Sequence, residues 1–170
     1  MPKEITYKEA LSKLAILCSR SEQCIQACKE KLSKWAINDT DANKIIDYLI
    51  QEKYIDEKRY ALFFAKDKHQ LSHWGKNKIS HALQIKNIPS QYIETALAEI
   101  NDNNYSSQLK SILTNKLKSI KAKNTYEMKA KLFRFGVGRG FESNLVLKTI
   151  DTILKKENIN FTDNDEIYID

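Results

Sequence analysis

The chain has 170 residues, 42% of them hydrophobic and 29% charged, with only 4 Gly and 2 Pro. Such a scarcity of turn residues argues against a β-rich fold built on hairpins, and no apolar run reaches the ~18 residues a membrane span needs. A net charge of +6 and a pI near 9.1 favour polyanions or acidic protein surfaces as partners, with a solvated lysine-rich helix surface as the plain alternative.

Elements follow in order from caps and helical periodicity. Thr6 and Glu9 form a capping box ahead of Ala10, Leu11, Leu14, Ala15 and Leu17. Ser19-Arg20-Ser21-Glu22 reads as a stop and a new N-cap, followed by a second helix with Cys24, Ile25, Cys28 and Leu32 on its apolar face. Asn38-Asp39-Thr40-Asp41 caps a third, running to about Tyr54, and Asp56 caps a fourth, to about Ser72. On the fourth helix, Tyr60, Phe63, Phe64 and Leu71 are expected to face inward while Lys58 and Lys66 turn outward.

After Trp74-Gly75 a short helix carries Ile79, Ala82, Leu83 and Ile85. Ile88-Pro89-Ser90 ends it, with Ser90 as the next cap. Tyr92, Ile93, Ala96, Leu97 and Ile100 make a sixth helix, and Asp102-Asn103-Asn104 reads as a connector. A long basic helix spans Leu109 to Ile120. Asn124-Thr125 caps the next, and Gly136-Val137-Gly138-Arg139-Gly140 is expected to break it. A last helix holds Leu145, Val146, Leu147, Ile150 and Leu154. The segment after Asn158 is acidic and reads as a flexible tail.

Leu32, Leu83 and Leu132 align as an internal repeat. Each is followed five residues later by an apolar loop residue (Ile37, Ile88, Val137), then by an apolar pair (Ile45-Ile46, Ala96-Leu97, Leu145-Val146). A period near 50 residues marks stacked supersecondary units. The expectation is an all-α fold of tandem three-helix, helix-turn-helix-like repeats in an elongated, curved array. The repeats fall at residues 6–54, 55–102 and 103–157, with a tail at 158–170.

No constellation argues for catalysis. His69 and His73 are four apart, but Gln-Leu-Ser between them lacks the glutamate of a zinc protease helix. Cys24 and Cys28 lack a second Cys pair. The three glycines at 136–140 follow a helix and precede no Gly-Lys-Ser/Thr, so a helix C-cap explains them better than a phosphate loop. The expectation is a non-enzyme without metal or cofactor. The N-terminus shows no secretory pattern, and the three cysteines, an odd number, suit reduced thiols; together they suggest a cytoplasmic protein. The candidate contact residues are cations: Arg20, Lys31, Arg59, Lys66, Lys76, Lys78, Lys131, Arg134 and Arg139. Lys110, Lys116, Lys118, Lys121, Lys123 and Lys129 make the C-terminal third the most basic. For Arg59 a salt bridge, with Asp56 as the nearby candidate, competes with partner contact.

Taken together, several stretches resemble the RecX family of RecA regulators. They are Ala10-Leu11 with Leu14 and Leu17, Arg20-Ser21, Lys31-Leu32, Ile45-Ile46 with Leu49, and Tyr54-Ile55-Asp56-Glu57-Lys58-Arg59-Tyr60-Ala61. The last is similar to the family's G-Y-L-D-D-x-R-F-A segment, with Lys53 where glycine is usual. Trp74-Gly75 with Ile79 and Leu83 is similar to the opening of its second repeat, with Lys76 where proline is common. Leu132, Gly136 and Val137 look like the third. The resemblance covers roughly Tyr7 to Lys155. It implies a monomer that binds in the groove of the RecA–DNA filament and restrains strand exchange and ATP hydrolysis in DNA repair, recombination and the SOS response. A direct DNA-binding, helix-turn-helix-like protein, or weak direct DNA contact beside RecA, is the alternative.

Overall fold

The computed structural model describes residues 5–156, and the acidic 158–170 stretch lies outside them. Among the described residues the fold is all-α. The helices are α1 (Tyr7–Arg20), α2 (Ile25–Lys34), α3 (Asp39–Gln51), α4 (Glu57–Gln70), α5 (Lys76–Ile85), α6 (Ser90–Ala98), α7 (Asp102–Leu117), α8 (Thr125–Gly138) and α9 (Ser143–Lys156). None is long and apolar enough to cross a membrane.

Two compact units share the chain. Among the described residues one comprises 5–66 and 81–99, the other 67–80 and 100–156. In the first, Ala10, Leu14 and Cys18 of α1 meet Cys28 and Leu32 of α2 and Ala42, Ile45, Ile46 and Leu49 of α3 in one buried cluster. Each fully buried Leu or Ile there contributes about 1.5–3 kcal/mol. In the second, Tyr105, Leu109, Leu113 and Leu117 form a four-residue stripe along α7, facing Met128 and Leu132 of α8 and Val146, Ile150 and Leu154 of α9. Helices α8 and α9 approach closely because Gly136 has no side chain. A Cβ there would sit 2.8 Å from Val146 Cγ1.

Four helix ends close in the same way. Ala36, Lys53, Asn87 and Gly140 have φ of 58°, 59°, 58° and 91°. The amide that follows each reaches back five residues: Ile37 to the Leu32 carbonyl (3.1 Å), Tyr54 to Leu49 (2.8 Å), Ile88 to Leu83 (3.1 Å) and Phe141 to Gly136 (3.2 Å). This is the Schellman arrangement, which satisfies carbonyls orphaned at a helix end. It also corrects the register of the third repeat. The equivalent of Leu32 and Leu83 is Gly136, not Leu132, and the next helix then starts seven residues later each time, at Asp39, Ser90 and Ser143. Helix α8 has one extra turn, which shifted the pattern by four residues.

The left-handed backbone at Lys53 is a conformation that favours glycine. Lys53→Gly should stabilise the protein by about 0.5–1 kcal/mol, because glycine escapes the Cβ clash of this region. A raised urea midpoint with an unchanged slope is the expected reading.

Other sequence expectations are corrected. Helix α2 starts after Cys24, not at Ser21, and Cys24 provides no side-chain cap. Pro89, not Ser90, is the N-cap of α6. Asp102-Asn103-Asn104 is the first turn of α7, because the Asn101 side chain accepts from the amides of Asn103 and Asn104. Gly136 and Gly138 lie within α8, and the break comes only at Arg139-Gly140. The inward stripe of α4 is Ala61, Ala65 and His69, while Phe63 and Leu71 are 59% and 76% exposed. Small residues take the buried positions, and the large aromatic is left outside.

Candidate functional site

The nine candidate cations are divided between the two units. Arg20, Lys31, Arg59 and Lys66 belong to the first unit, and Lys76, Lys78, Lys131, Arg134 and Arg139 to the second. Most are engaged within the fold. Arg59 Nε donates to Glu22 Oε1 at 2.6 Å, and its Nη2 donates to the Lys53 carbonyl at 3.2 Å. Its partner is therefore Glu22 rather than Asp56, whose carboxylate instead accepts the Arg59 backbone amide as the N-cap of α4. The hydrogen bond to Glu22 raises the Arg59 pKa further. A second cross-link lies beside it. Glu57 Oε1 accepts the Ile25 amide at 3.3 Å and so caps α2 from a distant part of the chain. Burial pushes the Glu57 carboxyl above its usual range against that bond.

In the second unit, Lys76 pairs with Asp102 at 2.9 Å and lies 5.0 Å from the Tyr105 ring centroid. The buried Tyr105 hydroxyl accepts the Lys76 amide (2.9 Å) and donates to Glu142 (2.7 Å), joining the starts of α5, α7 and α9. Burial, followed by that carboxylate, raises the Tyr105 phenol well above its ordinary range. Lys78 lies 4.6 Å from the centroid of the Trp74 indole. Arg139 donates to the Ser72 carbonyl (3.2 Å) and covers Phe135. His69 is buried, with Nδ1 3.2 Å from the Trp74 carbonyl, and His73 meets Gln108. Arg20, Lys66 and Arg134 are exposed and make no ion pair among the described residues, while Lys31 is half-buried in the last turn of α2.

One hollow gathers cations. It lies between the end of α7, the connector after it and the middle of α8, has an open volume of about 480 Å³, and is lined by Lys116, Ser119, Ile120, Lys121, Lys131 and Arg134. The buried Ile120 and Ala122 anchor the connector that forms its rim. Asn124 caps α8 by accepting the Glu127 amide, and Glu127 accepts the Lys123 amide in return. Lys131 Nζ is fixed by the Lys121 carbonyl (2.6 Å) and by Glu127 (2.7 Å). That ammonium is the main reason the Glu127 carboxyl lies below its usual range. Two of the nine candidates, Lys131 and Arg134, are thus brought together. Lys116 and Lys121 complete the set; the sequence marked them only as part of the basic C-terminal third, not as candidate contacts.

Residues 56–97 match the family model for the second three-helix domain of RecX. The regulatory protein RecX of Clostridium botulinum (strain Eklund 17B / Type B) is 30% identical over 135 residues, covering 78% of this chain and 60% of that protein. That of Clostridium acetobutylicum is 23% identical over 159 residues, covering 91% and 73%. The chain thus spans about 60% of the length of the first of these relatives. Two crystal structures have the same fold. One, of a regulatory protein RecX, gives a TM-score of 0.75 at 17% identity, covering 86% of this chain and 73% of that one. The other, RecX from Lactobacillus salivarius, gives 0.71 at 19% identity, covering 91% and 97%. With the recurring helix–Schellman–helix units and the capped Asp56–Ala61 segment, these likenesses place the chain in the RecX family of regulatory proteins.

Proposed function

We propose that this protein is a non-enzymatic, monomeric, cytoplasmic regulator that binds the RecA filament on DNA and restrains its strand exchange and ATP hydrolysis. The observation that carries this reading is membership of the RecX family, with the match to the second three-helix domain falling on the Asp56-capped segment. Three tandem units, at 6–54, 55–102 and 103–157, would offer RecA several separate footholds. Many weak contacts suit a regulator that must dissociate, since linked sites raise avidity without a tight single contact. A net charge of +6 suits a nucleoprotein target.

Titrating the protein into a DNA-stimulated RecA ATPase assay, with strand exchange read in parallel, tests the reading. Both activities should fall at or below one protein per RecA protomer in low salt. Full activity at that ratio would overturn it.

A further inference from the structure

We propose that Cys18 and Cys28 form a reversible disulfide when the protein meets hydrogen peroxide, with Cys18 as the attacking thiol and Cys28 as the resolving one. The two side chains come from different helices, the last turn of α1 and the start of α2, and are buried in one cluster. Their sulfurs meet there, with the Cys28 thiol donating a hydrogen bond to Cys18. Burial divides the roles. Cys18 is 8% exposed and Cys28 0%, so a small oxidant reaches Cys18 first. The same hydrogen bond lowers the Cys18 thiol from its ordinary value and, together with burial, raises that of Cys28. Arg59 adds to the lowering at Cys18, while burial and Glu22 oppose it. A thiol with added thiolate character, beside a partner that keeps its proton, is arranged as an attacking and a resolving cysteine. Cys24 stands apart: it is fully buried at the N-cap of α2, and the Tyr60 hydroxyl donates to its sulfur.

Peroxide alone balances the reaction. The Cys18 sulfur attacks one peroxide oxygen with its lone pair; the S–O bond forms, the O–O bond breaks, and the leaving hydroxide takes the Cys18 proton as water. Cys18 is then a sulfenic acid, oxidised by two electrons. The Cys28 sulfur attacks it; the S–S bond forms, the S–O bond breaks, and the departing hydroxide takes the Cys28 proton as a second water. The peroxide is thus reduced to water, the two thiols become one disulfide, and a dithiol reductant reverses the change by exchange. Because Cys28 has no exposed surface, it can resolve Cys18 of its own chain but not of a second copy. The bridge closes over the α1–α2 connector. That connector carries Glu22 and leads to Ile25, which are bonded to Arg59 and Glu57 of α4. Oxidation therefore fastens the segment on which both cross-links rest.

The test treats the full, reduced chain with hydrogen peroxide, blocks the remaining thiols, and maps the disulfides by mass spectrometry. Free thiols should fall from three to one, with Cys18 and Cys28 in one linked peptide and no linkage between chains. Dithiothreitol should restore all three. The oxidised chain should melt several degrees higher than the reduced one, because the bridge restricts the unfolded chain. Cys28→Ala should form no disulfide and should leave Cys18 as a sulfenic acid that dimedone traps. Cys18→Ala should consume peroxide at least about tenfold more slowly than wild type. Cys24→Ala should form the same bridge as wild type. The wild-type peptide map decides the matter even where a variant fails to fold. A bridge that uses Cys24, a bridge only between chains, or three thiols still free after an exposure that fully oxidises free cysteine would overturn the proposal; the last is how thiols that serve only as core would behave. RecA takes no part in this test, so its outcome and that of the RecA reading are independent.

Discussion

Gly75→Ala should destabilise the protein by about 3–5 kcal/mol. A Cβ on Gly75 would lie 2.2 Å from the carbonyl carbon and oxygen of Gly140 and 2.3 Å from the Phe141 amide nitrogen. These are backbone atoms and cannot rotate aside. The two segments are also bonded to each other: Gly75 N–H to the Arg139 carbonyl at 2.8 Å and Asn77 N–H to the Gly140 carbonyl at 3.0 Å. Making room for a methyl group stretches both bonds, each worth about 1 kcal/mol, on top of an overpacking cost of about 1–3 kcal/mol. A chain of this length should lose roughly 10 °C in melting temperature. Gly138→Ala is the control. Nothing lies within 4 Å of its Cβ position and it is helical, so that variant should match or slightly exceed wild type. A Gly75→Ala protein melting within 2 °C or so of wild type would show that the two segments do not meet this closely.

Arg59→Ala should cost about 1–3 kcal/mol and, on the proposed function, leave the restraint of RecA intact per folded molecule. Among the described residues Arg59 is the partner of Glu22 Oε1, and Glu22 Oε2 is buried without a hydrogen-bond partner. Removing the guanidinium leaves a carboxylate, 22% exposed, wholly unpaired and also frees the Lys53 carbonyl. Breaking a fully buried pair costs about 3–5 kcal/mol, and the Arg59 side chain, 38% exposed, brings the figure down through solvent screening. A double-mutant cycle with Glu22→Gln checks it: the double variant should be less destabilised than the sum of the singles by about 1 kcal/mol. An Arg59→Ala protein with unchanged melting temperature and lost filament inhibition would make Arg59 a contact residue instead.

The legible parts of this fold were local. The Thr6–Glu9 capping box, the Asn38, Asp56 and Asn124 caps, and the four-residue apolar stripes all depend on neighbours within a turn or two. The expectations that failed depend on residues far away in sequence. Helix α2 starts at Ile25 with no cap of its own because Glu57 supplies one from 32 residues on. Gly136 reads as a helix breaker, but it lies within α8 and its lack of a side chain makes room for Val146. Phe63 reads as core by periodicity, yet the inward positions go to alanines whose small size suits close packing. The candidate site divides in the same way. Lys131 and Arg134 could be picked from a basic helix, but their convergence with Lys116 and Lys121 depends on the path of the connector between α7 and α8. Arg59 was visible as important, and its partner, 37 residues away, was not.

The backbone clasp between Gly75 and Gly140 also sets an order of assembly. The residues of the first unit, up to position 99, are synthesised before any of α7. The segment at 67–80 belongs to the second unit and must wait for Arg139, 64 residues beyond Gly75. At about 5–20 residues per second that is a delay of roughly 3–13 s on the ribosome. During it, the amides of Gly75 and Asn77 have no carbonyl to meet, and Leu71 and Trp74 stand beside them. Until Arg139 and Gly140 arrive this stretch is open to proteases and chaperones, and loop closure across it completes the clasp.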